Sequence, residues 1–312
     1  MPATREGLDV PNAAGIAEAD RLRPAPVVLA RGWLPLLLPG GVLALLLVAL
    51  YAPVMASLAA LWRAEASYSQ GLLIPVLAAY MVWYRRSELR GIRTRPCLAA
   101  LPALMAGLLM LVAGRLAFEI HAAALSLIIV LASVVALAGG VQLLRAVWFP
   151  LAYLIFMIPL PWVVYFAAGD PLKTMTADLA TALVRPLAIP LLQDGTFIRL
   201  PTVTLEVEAA CSGIRTLLSV LPLAVACAYV MVRRPWAKFL LVGSAFPIAV
   251  LGNILRVTAI IVQAHLYPDW VTGYALHLYS TGIPMALGLP MLLGVGGLLQ
   301  WWERRWDCGS PS

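Results

Sequence analysis

Long apolar runs separated by short polar stretches set the pattern of this chain. Eight runs read as membrane spans: 33–60, 71–84, 97–114, 122–141, 147–168, 212–232, 239–262 and 279–300. About 20 apolar residues rising 1.5 Å each cross a hydrocarbon layer of roughly 30 Å. The second run is short and is expected to begin nearer Tyr68. The pattern predicts an all-α polytopic membrane protein with about eight transmembrane helices in one membrane domain, 33–302. Polar segments flank it, an N-terminal tail over 1–32 and a C-terminal tail over 303–312. The first tail carries Glu6, Asp9, Glu18 and Asp20 and does not read as a signal peptide.

The longest segment between spans is 169–211. In it Leu172, Met175, Leu179, Leu183 and Leu187 recur every three or four residues, with Lys173, Thr174, Asp178, Thr181 and Arg185 between them. That spacing predicts an amphipathic helix lying on the outer membrane face, bent or ended near Pro186 and Pro190. Gln193-Asp194-Gly195 reads as a turn. Residues 202–208 then alternate polar and apolar, as a strand does. Phe197 to Leu200 can pair with them, giving a small β-hairpin that leads into span six.

Composition narrows the class further. Of 312 residues, 62% are hydrophobic and 12% charged, with a mean hydropathy of +0.91. Soluble domains have roughly 45–50% apolar and about 25% charged residues. A soluble globule, a disordered chain, a disulfide scaffold and a nucleic-acid-binding domain are excluded. The net charge of +7 is a topology signal. With polar segments assigned to alternate sides, 15 Lys and Arg fall on one side and 7 on the other, while the acidic residues divide 7 and 8. The positive-inside rule then puts both termini in the cytoplasm.

Polar groups at membrane depth are costly and tend to be functional. Cys97 and Cys308 fall on the cytoplasmic side, and Cys227 lies inside span six as a small apolar residue. Cys211 stands elsewhere, at the outer mouth of span six, in Glu208-Ala209-Ala210-Cys211-Ser212-Gly213-Ile214-Arg215. A thiol at a helix N-terminus meets unpaired N–H groups and the positive dipole end, which favour the thiolate. Arg215, one turn on, adds positive charge, and a charged Glu208 nearby would oppose ionisation. The alternative is a structural thiol. A disulfide to Cys227 is excluded, since sixteen helical residues span about 24 Å.

Asn253 and Arg256, at i and i+3, share one side of span seven. Arg256 falls in its outer third, where it pairs, lines a polar cavity or snorkels to the headgroups. His277 begins span eight on the outer side and is preferred to His265 in the loop 263–273. His121 begins span four at the same face, with no Cys or Arg near it in sequence. Cys211, Arg256 and His277 therefore come from three helices at one depth. That set suits acyl transfer: a thiolate nucleophile, an imidazole proton shuttle and a guanidinium for oxyanion charge or substrate orientation. No HExxH or Cys/His cluster suggests a metal, and no cofactor is implied. No G-x-S-x-G or P-loop is present. Ser212 reads as a hydrogen bonder at the helix start, and Gly294-Val295-Gly296-Gly297 as a packing contact.

The run Glu208 to Ile214, followed by Asn253-Ile254-Leu255-Arg256 and then His277, resembles the exosortase/archaeosortase family. Ser69-Gln70-Gly71 and Ile158-Pro159-Leu160-Pro161 resemble further family elements, and the likeness covers about 68–282. The resemblance implies a bacterial inner-membrane cysteine protease-transpeptidase with its site at the periplasmic face. Its partners would be membrane-anchored exported proteins with a C-terminal sorting signal: a Pro-Glu-Pro-like motif, a transmembrane segment and a basic tail. It maps the nucleophile to Cys211, the arginine to Arg256 and the histidine to His277. Many relatives have histidine where this chain has Gln70, so that position is assigned no chemistry. Some relatives carry an extra C-terminal soluble domain; here such a partner would be a separate periplasmic protein. The competing class is a transporter or channel whose polar residues line a pathway. No acidic residue lies deep in a span, and paired broken helices are lacking, which disfavours it. A further expectation is that the 197–208 hairpin offers an edge strand to an extended substrate segment.

Overall fold

The computed structural model describes residues 34–92, 94–207, 213–267 and 274–309; the tail 1–32 lies outside them. In the described residues the helices are α1 Leu34–Ala64, α2 Leu73–Tyr84, the short α3 Arg86–Arg90, α4 Leu101–Leu116, α5 Ile120–Tyr153, α6 Trp162–Val184, α7 Ile214–Met231, α8 Pro235–Leu266 and α9 Tyr274–Gly309. Two compact units are resolved, residues 1–52 and 53–312. The described part of the first is helix, with Leu45, Leu46 and Val48 exposed. In the second, α4 packs on α5, α6 and α7 pack on α8, and α9 packs on both α7 and α8.

Five helical segments among the described residues are long and apolar enough to cross a membrane: Gly41–Ala64, Leu98–Leu116, Ile120–Met157, Ile214–Met231 and Pro235–Leu266. Large apolar side chains such as Leu109, Val112, Trp148 and Phe239 are exposed on them. Hydrocarbon, unlike water, gives no reason to bury them. The protein is a multi-pass membrane protein of the all-α class.

The sequence boundaries need three corrections. Spans four and five were expected as 122–141 and 147–168 with a loop between. Instead α5 runs from Ile120 to Tyr153 as two helical halves joined at Gly140, whose φ of 80° is non-helical. Only glycine fits there, because the Arg95 carbonyl fills the space a Cβ would take. The chain near Arg95 is tied down on this joint by Arg95 N–H to Gly139 O (3.4 Å) and Cys97 N–H to Ala136 O (3.3 Å).

The second correction is the true break in the fifth run, which lies at 158–161. Ile158 is extended (φ −82°, ψ 128°) ahead of Pro159, and Pro161 precedes the first residue of α6. A residue before proline is pushed out of the helical region, so the helix ends here.

The third concerns the amphipathic segment. It starts earlier than expected: α6 is one continuous helix from Trp162 to Val184, followed by a 3-10 turn over Arg185–Leu187, and the expected apolar face is exposed at Leu179, Leu183 and Leu187. The buried face carries Gly169, Thr176, Ala177, Ala180, Thr181 and Val184. Small residues let helices approach closely, while leucine is at home in lipid.

After α6 come β1 Leu192–Asp194, β2 Phe197–Arg199 and β3 Thr204–Glu206, an antiparallel sheet in the order β1-β2-β3. Phe197 pairs with Asp194 on one side and Glu206 on the other. Of the turn expected at Gln193-Asp194-Gly195, Gln193 and Asp194 belong to the strand β1, and the turn sits at Gly195-Thr196. Ile198, Leu200 and Val207 are buried against Ala177, Ala180 and Val184 of α6 and Val257, Ile261 and Ala264 of α8. Gln193 fastens the sheet to α6: its Oε1 accepts from Thr181 Oγ1 (2.7 Å) and its Nε2 donates to Asp178 Oδ1 (2.6 Å).

At the other end of α8, the buried Glu303 of α9 accepts from the backbone N–H groups of Arg233 (3.2 Å) and Arg234 (2.7 Å). A carboxylate here complements the positive end of α8. The segment from 303, expected as a tail, thus begins as the last turns of α9, which runs to Gly309.

Gln70 has a structural task. Pro222 lies inside α7 and has no N–H, which leaves the Leu218 carbonyl without its helical donor. Gln70 Nε2 donates to that carbonyl (3.3 Å), and Ser219 Oγ donates to Gln70 Oε1 (3.3 Å). The Tyr153 hydroxyl in turn donates to the Pro222 carbonyl (3.0 Å). Gln70→Ala is expected to destabilise the protein by about 1–3 kcal/mol. In a Pro222→Ala background, where the helix supplies its own donor, most of that cost should vanish. Thermal unfolding of the four proteins of this cycle checks it; an equal loss in both backgrounds would refute the pairing.

Candidate active site

α7 begins at a left-handed residue. Gly213 has φ 82° and ψ −16° and forms the N-cap of the helix. A side chain there would be strained by the backbone. It would also press on α8, since a Cβ would lie 3.3 Å from Asn253 Nδ2 and 3.5 Å from Asn253 Cβ and Cγ. The glycine of the Cys-Ser-Gly run therefore rests directly on the asparagine of the Asn-x-x-Arg run.

Asn253 is fully buried and donates from Nδ2 to Thr176 Oγ1 of α6 (3.2 Å). Three helices meet at this amide. Arg256, one turn further along α8, is buried too, with 4% of its surface exposed. Snorkelling is thereby excluded: the guanidinium sits inside the protein. A buried charge is kept only where the surroundings or a ligand repay its desolvation.

The other expected residues fall as follows. Glu208, Cys211 and Ser212 lie outside the described residues. His277 is in the first turns of α9, and its side chain lies outside them as well. His265, expected in a loop, belongs to the last turn of α8 and is exposed. Cys97 and Cys227 are free, half-buried thiols. Among the described residues no group of three or more His, Cys, Asp or Glu could hold a metal ion.

Arg215, in the first turn of α7, lines a cavity of about 380 Å³ with Glu65, Tyr68, His121, Trp162 and Tyr165. His121 was set aside on the sequence because nothing basic or nucleophilic stands near it. The fold brings it to the same cavity as Arg215, and no local signal could have found that. Glu119 caps α5, accepting from the His121 backbone N–H (3.2 Å), and its carboxylate also holds His121 Nδ1. The hydrogen bond from the imidazole keeps the Glu119 carboxyl below its ordinary pKa.

A buried Asn-x-x-Arg face beneath a left-handed glycine turn, inside a bundle of apolar helices, defines a membrane-embedded polar site. A family model described as transmembrane exosortase matches residues 62–294. The chain belongs to the transmembrane exosortase family, and this membership suggests processing of sorting signals at a membrane. No curated protein and no solved structure matches it.

Proposed function

We propose that this protein is an integral-membrane cysteine peptidase and transpeptidase that removes C-terminal sorting signals from exported proteins. The supporting observation is the seating of Gly213 on Asn253. Gly213 follows Cys211 by two residues, a reach of at most about 7 Å. The motif that carries the thiol is thus tethered beside the helix face that carries Arg256.

In this reading the Cys211 thiolate attacks the scissile carbonyl. Arg256 stabilises the oxyanion or holds a substrate carboxylate. His277 gives its proton to the leaving amine as the C–N bond breaks, leaving a thioester. Water or an amine then attacks the thioester, His277 takes the incoming proton, and the thiolate departs. The site residues call for no cofactor. Ser212 supports the helix start, Asn253 ties the two motifs together, and Glu208 and Arg215 set the local charge. In this reading, with eight spans and the positive-inside rule, both termini lie in the cytoplasm and the site at the periplasmic face of the inner membrane. β3 is an edge strand of its sheet, open to pairing with an extended substrate segment.

A membrane-impermeant maleimide tests the reading on cells co-expressing a tagged substrate. It is expected to label Cys211 from outside and to stop cleavage, while Cys97 and Cys227 stay unlabelled. Cleavage that continues in fully labelled protein would refute the nucleophile. Labelling only after permeabilisation would reverse the topology.

A further inference from the structure

A second cavity, of about 460 Å³, lies at the opposite end of the α7–α8 pair, roughly 22 Å along α7 from Gly213. Its walls include Trp148 and Phe149 of α5, Tyr229 of α7 and Phe239 of α8, with Arg85 and Lys238 beside them. Trp148 and Phe239 are exposed, so the cavity opens sideways to whatever surrounds the bundle. For a membrane protein that is lipid.

Its polar groups point to the ligand. Phe149 stacks flat on Tyr229, with centroids 4.5 Å apart, and the Arg85 guanidinium lies over the Tyr229 ring at 5.1 Å. The Tyr229 hydroxyl is buried and has no hydrogen-bond partner among the described residues. A donor held in an apolar wall costs stability unless an acceptor reaches it. Lys238 lines the same cavity. Arg85 Nε lies 3.7 Å from the exposed Glu88 carboxylate. The same end of the bundle also carries Arg86, Arg90, Arg233, Arg234, Arg304 and Arg305, a field that favours an anion.

We propose that this cavity is a binding site for an anionic phospholipid. The phosphate sits between Arg85 and Lys238, the Tyr229 hydroxyl donates to a phosphate or ester oxygen, and one acyl chain lies along Trp148, Phe149 and Phe239. The apolar walls select a lipid over a soluble phosphate. The site is separate from the cysteine chemistry and does not depend on it.

The test uses the full chain purified in detergent, with native mass spectrometry and thermal unfolding as readouts. Phosphatidylglycerol should be retained in preference to phosphatidylcholine and should raise the unfolding midpoint, whereas millimolar inorganic phosphate should not. Arg85→Ala with Lys238→Ala should weaken phosphatidylglycerol retention roughly tenfold or more. Tyr229→Phe keeps the ring stack and should weaken it severalfold. Arg115→Ala, an exposed position outside this cavity and this cluster, should change nothing. Equal retention of the two lipids, or an equal rise with inorganic phosphate alone, would overturn the proposal. Should the double variant fail to fold, Tyr229→Phe decides, and undiminished retention by that variant would overturn it.

Discussion

Replacing Cys211 by alanine is expected to reduce cleavage of a co-expressed tagged substrate to background, a loss on the order of 10⁴-fold or more. The thiolate is the one group of the proposed set that forms a bond to the substrate, so no neighbour can take over its step. Protein level and unfolding midpoint should stay as in the parent, because the variant differs by one sulfur atom. The intermediate gives a second readout. The parent enzyme should accumulate a substrate adduct that hydroxylamine releases, as a thioester requires, and the alanine variant should form none. Normal processing by Cys211→Ala would end the peptidase reading and leave the buried polar face to be explained as part of a transport pathway.

The second large effect belongs to Arg256. Arg256→Gln keeps hydrogen-bonding capacity and most of the length but removes the charge. Cleavage should fall about 10²–10³-fold, the cost of losing one oxyanion donor. The division between kcat and KM then assigns the role. A fall in kcat at constant KM means stabilisation of the transition state; a rise in KM at constant kcat means a grip on a substrate carboxylate. Arg256→Lys retains charge without the planar fork and should recover part of a pure charge effect but little of a bidentate one. Full activity in both variants would show that the guanidinium is there for packing alone.

The class of the protein was legible because apolar runs are a direct physical requirement of crossing lipid. The Asn253–Arg256 face was legible too, since i, i+3 spacing on a helix is geometry the sequence prints. Other features were hidden for specific reasons. Gly140 lies in a continuous apolar run, and nothing local tells a joint from a packing glycine; the Arg95 carbonyl that fixes it is 45 positions earlier. The leucine spacing of α6 was legible as the apolar face of an interfacial helix, and Leu179 and Leu183 are exposed as such a helix requires. What the spacing did not show is that small residues, Gly169, Ala177 and Ala180 among them, form the opposite face and pack into the protein. Gln70 and Pro222 are legible only as a pair, as an amide and the carbonyl freed by a distant proline. The meeting of His121 with Arg215 is purely a matter of how the helices pack.

Glu303 has a practical consequence for handling this protein. It links the far end of the sequence to the start of the helix that carries Asn253 and Arg256. A shortened version ending before residue 303 would free the Arg233–Arg234 corner and loosen the base of that helix. An affinity tag or reporter fused at the C-terminus should therefore be placed after Gly309, with a flexible spacer, so that the carboxylate keeps its hold.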